Sequence, residues 1–319
     1  MLLLDAPVLA NHTAVHAADQ SELAGLFNQT TKPHVTQAPA YAYAKQAHGG
    51  WQVRRLEFES DGRPVAICHV LEKSVLGFRI ARINRGPLFL KSDPAPSTIR
   101  AVYSELRAAY RIARGGILSI APALEHNAGN AVLLADLGFR DSGYHGWCSS
   151  LVDLTKGEDQ LRKSLNQKWR NRLSSAERSG LELHVSQSDE HFEWLMQRHR
   201  EHAQSKGFRS LGVKFLRAYR DWQPCDCFVL QARLAGHPVA GMLVTRLGQK
   251  AEGLVLVCTE GRGYNAGNFL FWNAMLEMKR TGCAWWDMGG HGYKPGNFKH
   301  FKEGVRGVEY RLVGEWLSL

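Results

Sequence analysis

Apolar and polar residues in the first half of the chain follow the two-residue period of strands and the longer period of helices in turn. The pattern predicts strands at 51–58 and 64–72, joined by a tight turn, and a helix at 97–116 that ends in glycine. A short buried strand at 117–122 and a helix at 130–140 follow. This alternation of strands and helices is typical of the α/β class.

The second half of the chain predicts the same kinds of element in the same order. Strands are expected at 226–234, 238–247 and 251–259, followed by a helix at 268–282 and a strand at 284–290. The two halves therefore have a common plan, which a domain with a single core would not require.

A short sequence recurs at the same place in both halves. GRPVAICHV at 62–70 and GHPVAGMLV at 236–244 each begin at a turn and run into the second strand of a hairpin. The recurrence predicts two copies of one α/β unit. The length of 319 residues agrees with two domains.

A predicted helix between the two copies carries basic residues in two settings. In the segment 153–180, apolar residues recur at helical spacing from Leu161 to Ala176. Lys168 and Arg172 lie at the border of this apolar stripe, where packing partly anchors a side chain, so they are candidates for lining a groove. The basic residues on the opposite face are expected to be solvated.

The charge of the chain narrows the class of partners. The sequence has 40 Lys and Arg residues against 30 Asp and Glu residues, a formal net charge of +10 at pH 7. This excess favours a polyanionic partner such as nucleic acid or a phosphate-bearing substrate. No apolar run reaches the roughly 18 residues of a membrane span, and the first residues lack the features of a signal peptide. A cytoplasmic protein is expected.

The sequence has no motif for metal-dependent or nucleophilic catalysis. Its six cysteines include no CxxC pair, so reduced thiols without a metal site are expected. It also has no GxSxG, HExxH or P-loop sequence. A reaction that depends on a covalent nucleophile or a metal ion is therefore not indicated.

The segment GRGYNAGN at 261–268 has two interpretations. Gly261, Gly263 and Ala266 satisfy the dinucleotide-binding pattern GxGxxA, but the antiparallel-looking strand pairs around it argue against that interpretation. The layout fits better the loop of GNAT acetyltransferases, (Gln/Arg)-x-x-Gly-x-(Gly/Ala), whose backbone N–H groups hold the pyrophosphate of coenzyme A. Asn265 takes the place of one glycine, so the segment resembles an eroded coenzyme site.

Five segments together resemble the Fem (FemABX) aminoacyltransferases. Those enzymes have two GNAT-like domains and transfer an amino acid from aminoacyl-tRNA to an amine of a peptidoglycan precursor. The segments are TQAPAYAYAKQAHGGW (36–51), ARINRGPLFL (81–90), SLNQKWRNRLSSAERSGLELHV (164–185), WWDMGG (285–290) and HFKEGVRG (300–307). They occur in the family's order and cover most of the chain.

The resemblance implies an α/β fold of two tandem GNAT-like domains, each with a mixed, mostly antiparallel sheet flanked by helices. The first domain would cover 1–150 and be joined by the C-terminal strand at 308–319. The second domain would cover 151–307 and contain the catalytic segment. The second half has no long charged insertion, so the chain resembles the members without a coiled-coil arm.

The implied reaction is aminoacyl-tRNA-dependent transfer of an amino acid to an amine of a cell-envelope precursor or a related acceptor. The partners would be aminoacyl-tRNA and a nucleotide- or lipid-linked muropeptide, with peripheral contact to a membrane through the positive charge. No cofactor is implied, because an aminoacyl ester is already activated. Two alternatives are an acetyl-CoA-dependent GNAT N-acyltransferase and a catalytically silent binding protein.

The resemblance also implies roles for single residues. Lys302, next to Phe301, would lie at the acyl-transfer centre, and the Gly289–Gly290 pair would shape the cleft. Asp287 would orient Lys302 or accept the proton of the amine, and its alternative role is to cap the Gly-Gly turn. The residues that would bind the acceptor and its diphosphate are Tyr41, Lys45, Lys168, Arg170 and Arg172. For Lys45 the alternative is an ordinary surface lysine.

Basic residues outside these motifs are candidates for contact with a tRNA acceptor arm. They are Arg209, Lys214, Arg217 and Arg220. Because tRNA is polyanionic, such binding is expected to weaken steeply as the salt concentration rises.

Overall fold

The computed structural model describes residues 13–17, 20–110, 116–207, 211–290 and 297–318. Its strands form two sheets, one built mainly from the first half of the chain and one from the second. Helices accompany both sheets. The predicted α/β class is therefore confirmed.

Most strands lie at the predicted positions. In chain order the strands are β1 (Thr13–Ala17), β2 (Gln52–Ser60), β3 (Arg63–Val75), β4 (Phe78–Asn84), β5 (Leu88–Phe89), β6 (Gly116–Ala121), β7 (Arg140–Asp141), β8 (Cys148–Asp153), β9 (Leu181–Ser186), β10 (Cys227–Leu234), β11 (His237–Leu247), β12 (Lys250–Val257), β13 (Trp285–Asp287), β14 (Val308–Arg311) and β15 (Trp316–Ser318).

The two sheets are mixed and mostly antiparallel, as predicted. The first has the order β1-β2-β3-β4-β6-β15-β7, with β5 paired to β3, and its β4 and β6 run parallel. The second has the order β14-β8-β13-β12-β11-β10-β9, and its β12 and β13 run parallel. The segment 308–318 is thus divided between the sheets, β14 in the second and β15 in the first. The proposed domain limits at 150 and 307 stay a prediction.

The helices pack on these sheets and between them. In chain order they are α1 (Gln20–Gln29), α2 (Pro39–Gly49), α3 (Pro96–Ala109), α4 (Ala128–Asp136), α5 (Glu158–Ser164), α6 (Gln167–Glu177), α7 (Asp189–Lys206), α8 (Val213–Trp222), α9 (Ala266–Arg280) and α10 (Asn297–Glu303). The helix predicted at 97–116 ends earlier, at Ala109.

The repeat seen in the sequence is confirmed in backbone detail. The hairpin β2–β3 turns at Asp61 and Gly62, and the hairpin β10–β11 turns at Ala235 and Gly236, all with positive φ. In each hairpin the register shifts two pairs before the turn, so that one strand carries an additional residue. A shared turn and a shared bulge place the two hairpins in equivalent positions of two similar units.

The predicted apolar stripe between the repeats is buried, but it lies on two helices instead of one. Leu161 on α5 and Trp169, Leu173 and Ala176 on α6 all belong to the core of the second sheet. The helices are separated because Asn166 caps the start of α6, where its Oδ1 accepts a hydrogen bond of 2.7 Å from the Trp169 N–H.

The two halves share a core. Helix α2 of the first half packs on α8 of the second, and the rings of Tyr41 and Phe215 meet edge to face with 5.2 Å between centroids. Tyr43 and Trp222 make a second ring contact, at 4.8 Å. This aromatic packing holds the first half against the second and forms one wall of the site described below.

The parallel pair β12–β13 divides and leaves a fork in the second sheet. The two strands are paired only from Lys250 opposite Trp285 to Glu252 opposite Asp287. Strand β13 ends there, while β12 continues to Val257. A bulge in the pairing of β11 with β12 begins at the same level. Among the described residues, the backbone of β12 beyond Glu252 therefore has no strand partner on the β13 side, and a space opens in the sheet.

We expect Leu173→Ala to lower the free energy of unfolding by about 2–5 kcal/mol, because truncation of a fully buried leucine leaves a cavity. Ser175→Ala, on the exposed face of the same helix, is the matched control and is expected to change it by less than about 0.5 kcal/mol. Urea unfolding of both variants measures the difference. Equal effects would contradict the assignment of the buried face.

Candidate active site

A cavity of about 390 Å³ occupies the fork between β12 and β13. Most of its walls are apolar, including Val35, Phe215, Leu254 and Phe271. Its polar and flexible elements come from both halves of the chain. They include Tyr41, Arg85, Glu252, Gly289, Gly290 and Lys302. Four of the residues predicted for the site therefore meet in one cavity.

A second cavity, of about 450 Å³, adjoins the first. The two cavities share Thr36, Tyr41, Arg85, Trp147 and Gly290 as lining residues. The remaining walls of the second cavity are more polar and include Arg82, Asn84, His145 and Glu315. A substrate that spans both cavities would pass the residues they share.

Asp287 is the most heavily hydrogen-bonded group of the site. Its Oδ1 accepts hydrogen bonds from Ser149 Oγ at 2.6 Å and from the Gly289 N–H at 2.9 Å. Its Oδ2 accepts from Lys250 Nζ and from the Tyr310 hydroxyl, both at 2.9 Å. Of the roles predicted for Asp287, the structure shows the capping of the Gly-Gly turn.

The ionised form of Asp287 is strongly favoured. Burial acts to raise its pKa, but the charge of Lys250 and the hydrogen bonds from Ser149 and Lys250 outweigh that effect and hold the pKa well below its usual range. A carboxylate with such a low pKa and two donors on each oxygen is a poor proton acceptor. Asp287 is therefore a positioning residue in this arrangement.

Lys302 reaches the cavity from α10 and is 4% exposed. Its Nζ donates to the carbonyl oxygens of Gly289 at 2.9 Å and Gly290 at 2.8 Å. Burial lowers the pKa of Lys302 to about 8, although the negative charges of Glu252 and Asp287 oppose the shift. The ammonium group is thus largely charged at pH 7 and loses its proton when the pH rises through about 8.

Phe301 anchors the helix that carries Lys302. Its ring packs against the rings of Trp169 and Phe271, with centroids 5.7 Å and 5.0 Å apart. Its carbonyl oxygen accepts a hydrogen bond of 3.2 Å from Trp169 Nε1. The contacts place Phe301 behind the cavity wall, where it positions α10.

Glu252 is a cavity residue that the sequence motifs did not indicate. It is 6% exposed, and its carboxylate lies 3.6 Å from Lys250 Nζ, which is itself held by Asp287. Burial raises the pKa of Glu252 above its ordinary value, and the charge of Lys250 opposes part of that rise. The alternating positions of Lys250 and Glu252 at the start of an apolar strand are the signal that could have identified them.

Tyr41 and Lys45 lie one turn apart on α2. Tyr41 lines both cavities, and Lys45 Nζ lies 5.4 Å from the centroid of the Tyr41 ring and 5.3 Å from that of Phe215. Partial burial lowers the pKa of Lys45. Lys45 is therefore packed over the aromatic wall of the cavity, in contrast to an ordinary surface lysine.

The basic residues of α6 lie away from both cavities. Lys168 and Arg172 are exposed, and neither lines a cavity wall. Arg170 is used locally, because its guanidinium donates to the carbonyl oxygens of Lys163 and Leu165 at 2.8 Å and 2.5 Å. The part predicted for these three residues in binding a diphosphate stays a prediction.

Two of the four candidates for tRNA contact are engaged in ion pairs. Arg217 pairs with Glu193 at 2.6 Å. Arg220 is buried and pairs with Asp189 at 2.6 Å, so it is a structural residue. Lys214 is exposed, and Arg209 lies outside the described residues.

The GRGYNAGN segment folds into a closed turn. Glu260–Tyr264 form a 3₁₀ helix, and the Asn265 N–H donates back to the Arg262 carbonyl at 3.2 Å. Asn265 has a left-handed backbone, with φ 54°, a conformation that asparagine adopts more readily than most residues. The mostly antiparallel sheet around this turn excludes a doubly wound dinucleotide fold. Among the described residues, no three His, Cys, Asp or Glu side chains are grouped so that they could hold a metal ion.

Comparisons with known proteins agree with this geometry. Residues 160–303 match the acetyltransferase (GNAT) domain family. Among solved structures, FemX superimposes with a TM-score of 0.82 at 15% sequence identity, covering 96% of this chain and 97% of its own. No curated protein sequence matches the chain.

Two further structures are similar over nearly their full length. The C-terminal domain of a putative lysylphosphatidylglycerol synthetase from Agrobacterium fabrum has a TM-score of 0.60 at 16% identity, with 94% of this chain and 93% of that one covered. A tandem GNAT protein from the clavulanic acid biosynthesis pathway has a TM-score of 0.56 at 13% identity, with 96% and 98% covered. The predicted tandem GNAT-like fold and the structural resemblance to Fem proteins are confirmed.

We expect Asp287→Asn to lower the free energy of unfolding by about 3–5 kcal/mol, because it removes the closer charged partner of the buried Lys250 ammonium and leaves it only the 3.6 Å contact with Glu252. Tyr310→Phe removes one donor to the same carboxylate and is expected to cost only about 1–2 kcal/mol. Urea unfolding at pH 7 compares the two. A cost for Asp287→Asn no larger than that for Tyr310→Phe would show that the carboxylate is not the anchor of the site.

Proposed function

We propose that this GNAT acyltransferase, which has the fold of FemX, transfers an amino acid from aminoacyl-tRNA to an amine and forms an amide bond. The observation that carries the proposal is that Lys302 and Glu252, both buried, line the same cavity. An ammonium group and a carboxylate of raised pKa are what aminolysis of an ester needs, since the ester is already activated.

The reaction follows from the positions of these two groups. The amine of the acceptor attacks the ester carbonyl, and its surplus proton passes to the Glu252 carboxylate. Lys302 faces the oxyanion of the tetrahedral intermediate with its positive charge. The bond between the acyl carbon and the ribose oxygen then breaks, and this leaving oxygen takes the proton from Glu252. The protein supplies no covalent intermediate.

Aminoacyl-tRNA is favoured as the donor by charge and by structural neighbours. The chain has a formal net charge of +10, which suits a polyanionic donor. FemX and the lysylphosphatidylglycerol synthetase domain are similar to this chain over more than nine-tenths of its length. The alternative donor is acetyl-CoA, which is supported by the match to the GNAT domain family and by the similarity to the tandem GNAT protein.

For the acceptor we propose an amine of a peptidoglycan-type precursor, nucleotide- or lipid-linked. Lys45, packed over Tyr41 at the cavity wall, is the best-placed residue for its diphosphate. No described helix is long and apolar enough to cross a membrane. Under this proposal the enzyme works in the cytoplasm and meets a lipid-linked acceptor by peripheral contact.

We expect Lys302→Met to reduce transfer by about 100- to 1,000-fold, as the loss of an oxyanion-stabilising group does in other acyl transfers. The assay supplies total tRNA charged with labelled amino acids, UDP-linked muropeptide and a panel of simple amines. Lys299→Met, three residues earlier on α10 and paired with Glu303, is the matched control and should keep most activity.

The outcomes of this assay separate the candidate functions. Transfer that RNase abolishes and that Lys302→Met reduces supports the proposal. Turnover of acetyl-CoA that RNase leaves intact would establish the alternative donor. Undiminished transfer by Lys302→Met would refute the role of Lys302, and inactivity with every donor and acceptor would favour a binding protein.

We expect kcat to have a bell-shaped dependence on pH. Activity should fall above about pH 8, because Lys302 then loses the charge that stabilises the oxyanion. It should fall on the acid side at a pH above the ordinary range of a glutamate, because Glu252 must be unprotonated to accept a proton. Glu252→Gln is expected to lower kcat by about 100-fold or more and to remove the acid limb. An acid limb that Glu252→Gln leaves unchanged would assign it to another group.

A further inference from the structure

Arg85 lies at the junction of the two cavities, at the end of β4. It is one of the five residues that line both, and its backbone is left-handed, with φ 52°. A residue other than glycine seldom adopts this conformation unless the surrounding structure imposes it. The strained backbone turns the Arg85 side chain out of the strand direction and into the site.

The backbone around Arg85 is held by the segment that begins the first Fem-like motif. Thr36 Oγ1 and Gln37 Nε2 both donate to the carbonyl oxygen of Asn84, at 2.8 Å and 3.1 Å. A Cβ on Gly86 would lie only 2.6 Å from the Gln37 side chain, so only glycine fits there. These contacts fix the residues before and after Arg85.

The guanidinium of Arg85 is fixed in orientation by one aromatic contact. It lies over the ring of Trp147, 3.9 Å from the ring centroid, and that indole also packs closely on Gly290, where a Cβ would approach it to 2.4 Å. Within the described part of the chain, Arg85 makes no hydrogen bond or ion pair. Stacking uses the face of a guanidinium and leaves the N–H groups in its plane free for a planar acceptor.

Arg82, three residues earlier, shows what an arginine in this region does when it is structural. Its two terminal nitrogens donate to Glu315 at 2.8 Å and 2.5 Å, and it also bonds Asn84 and Ser119. Arg82 therefore uses four of its five N–H donors within the protein. Arg85 has the same donors, and none of them has a partner among the described residues, which distinguishes a binding group from a structural one.

Positively charged groups outnumber negatively charged groups at the centre of the site. Three cations, Lys250, Lys302 and Arg85, accompany two carboxylates, Asp287 and Glu252. The effect of Arg85 extends to the buried His34, whose pKa is held well below its ordinary value by burial, then by Lys250 and Arg85. The local excess of positive charge favours an anionic ligand near Arg85.

We infer that Arg85 binds an oxyanion of the acceptor, a carboxylate or a phosphate, in the second cavity while the acceptor amine enters the first. The inference rests on the proposed function, and it specifies the substrate class as an amine that carries an anionic group. Two parallel N–H donors on a fixed plane recognise such a group in a bidentate manner. The anion would orient the amine towards Glu252 and Lys302.

The test uses matched acceptor pairs that differ in the anionic group. Alanyl-alanine is compared with alanyl-alaninamide, and phosphoethanolamine with ethanolamine, in the transfer assay with wild type, Arg85→Gln and Arg85→Lys. For wild type we expect the anionic member of at least one pair to have a KM about 10- to 100-fold lower. Arg85→Gln should abolish that difference, and Arg85→Lys should keep part of it, since lysine retains charge without the planar fork. The pair that responds identifies carboxylate or phosphate as the group.

Controls separate binding from folding and from donor effects. Arg63→Gln, an exposed arginine at the first hairpin turn, removes the same charge and should leave the preference intact. The same probes are also titrated without donor, with tryptophan fluorescence as the readout. This second measurement tests Arg85 even if no tRNA-dependent transfer is found. If Arg85→Gln does not fold, the preference for the anionic probe is compared between wild type and Arg85→Lys.

Three results would overturn the inference. Wild type could bind the charged and neutral members of both pairs equally. Arg85→Gln could weaken all four probes by the same factor, which would make Arg85 a structural residue. Finally, Arg85→Gln could raise only the KM for charged tRNA, which would assign the guanidinium to a phosphate of the donor.

Discussion

The site depends on one buried carboxylate, that of Asp287. It accepts hydrogen bonds from Ser149 on β8, Lys250 on β12, Tyr310 on β14 and the N–H of Gly289 in the turn. One anion thus ties three neighbouring strands to the end of β13. Because a buried charge is costly unless its partners surround it, this group is stable only when those strands are in place.

The same carboxylate determines how the candidate catalytic lysine is presented. By capping the turn at Gly289, which has φ 71°, Asp287 sets the direction of the carbonyl groups of Gly289 and Gly290. Those carbonyls receive the ammonium group of Lys302. Neutral acceptors hold a cation in position without cancelling its charge, and this suits a group that stabilises an oxyanion.

The two halves of the chain contribute different chemistry to the site. The second half supplies Glu252 and Lys302 at its fork, where the reaction would take place. The first half supplies Tyr41 and Arg85, which line both cavities and would orient the acceptor. Under the proposed function, one copy of the unit would carry out the reaction and the other would bind the acceptor.

The sequence by itself determined the elements, the repeat and the segment around Asp287 and Lys302. Periodicity, turn residues and a glycine-rich motif are local signals, and each is complete within a few neighbouring residues. Only the tertiary structure decided that Asp287 accepts four hydrogen bonds, that Glu252 lines the same cavity as Lys302, and that Arg85 makes no hydrogen bond or ion pair with the described residues. These properties depend on distant partners, such as Ser149, which lies 138 residues from Asp287 in the chain. Burial and charge environment arise only when such segments meet, and no local pattern records them.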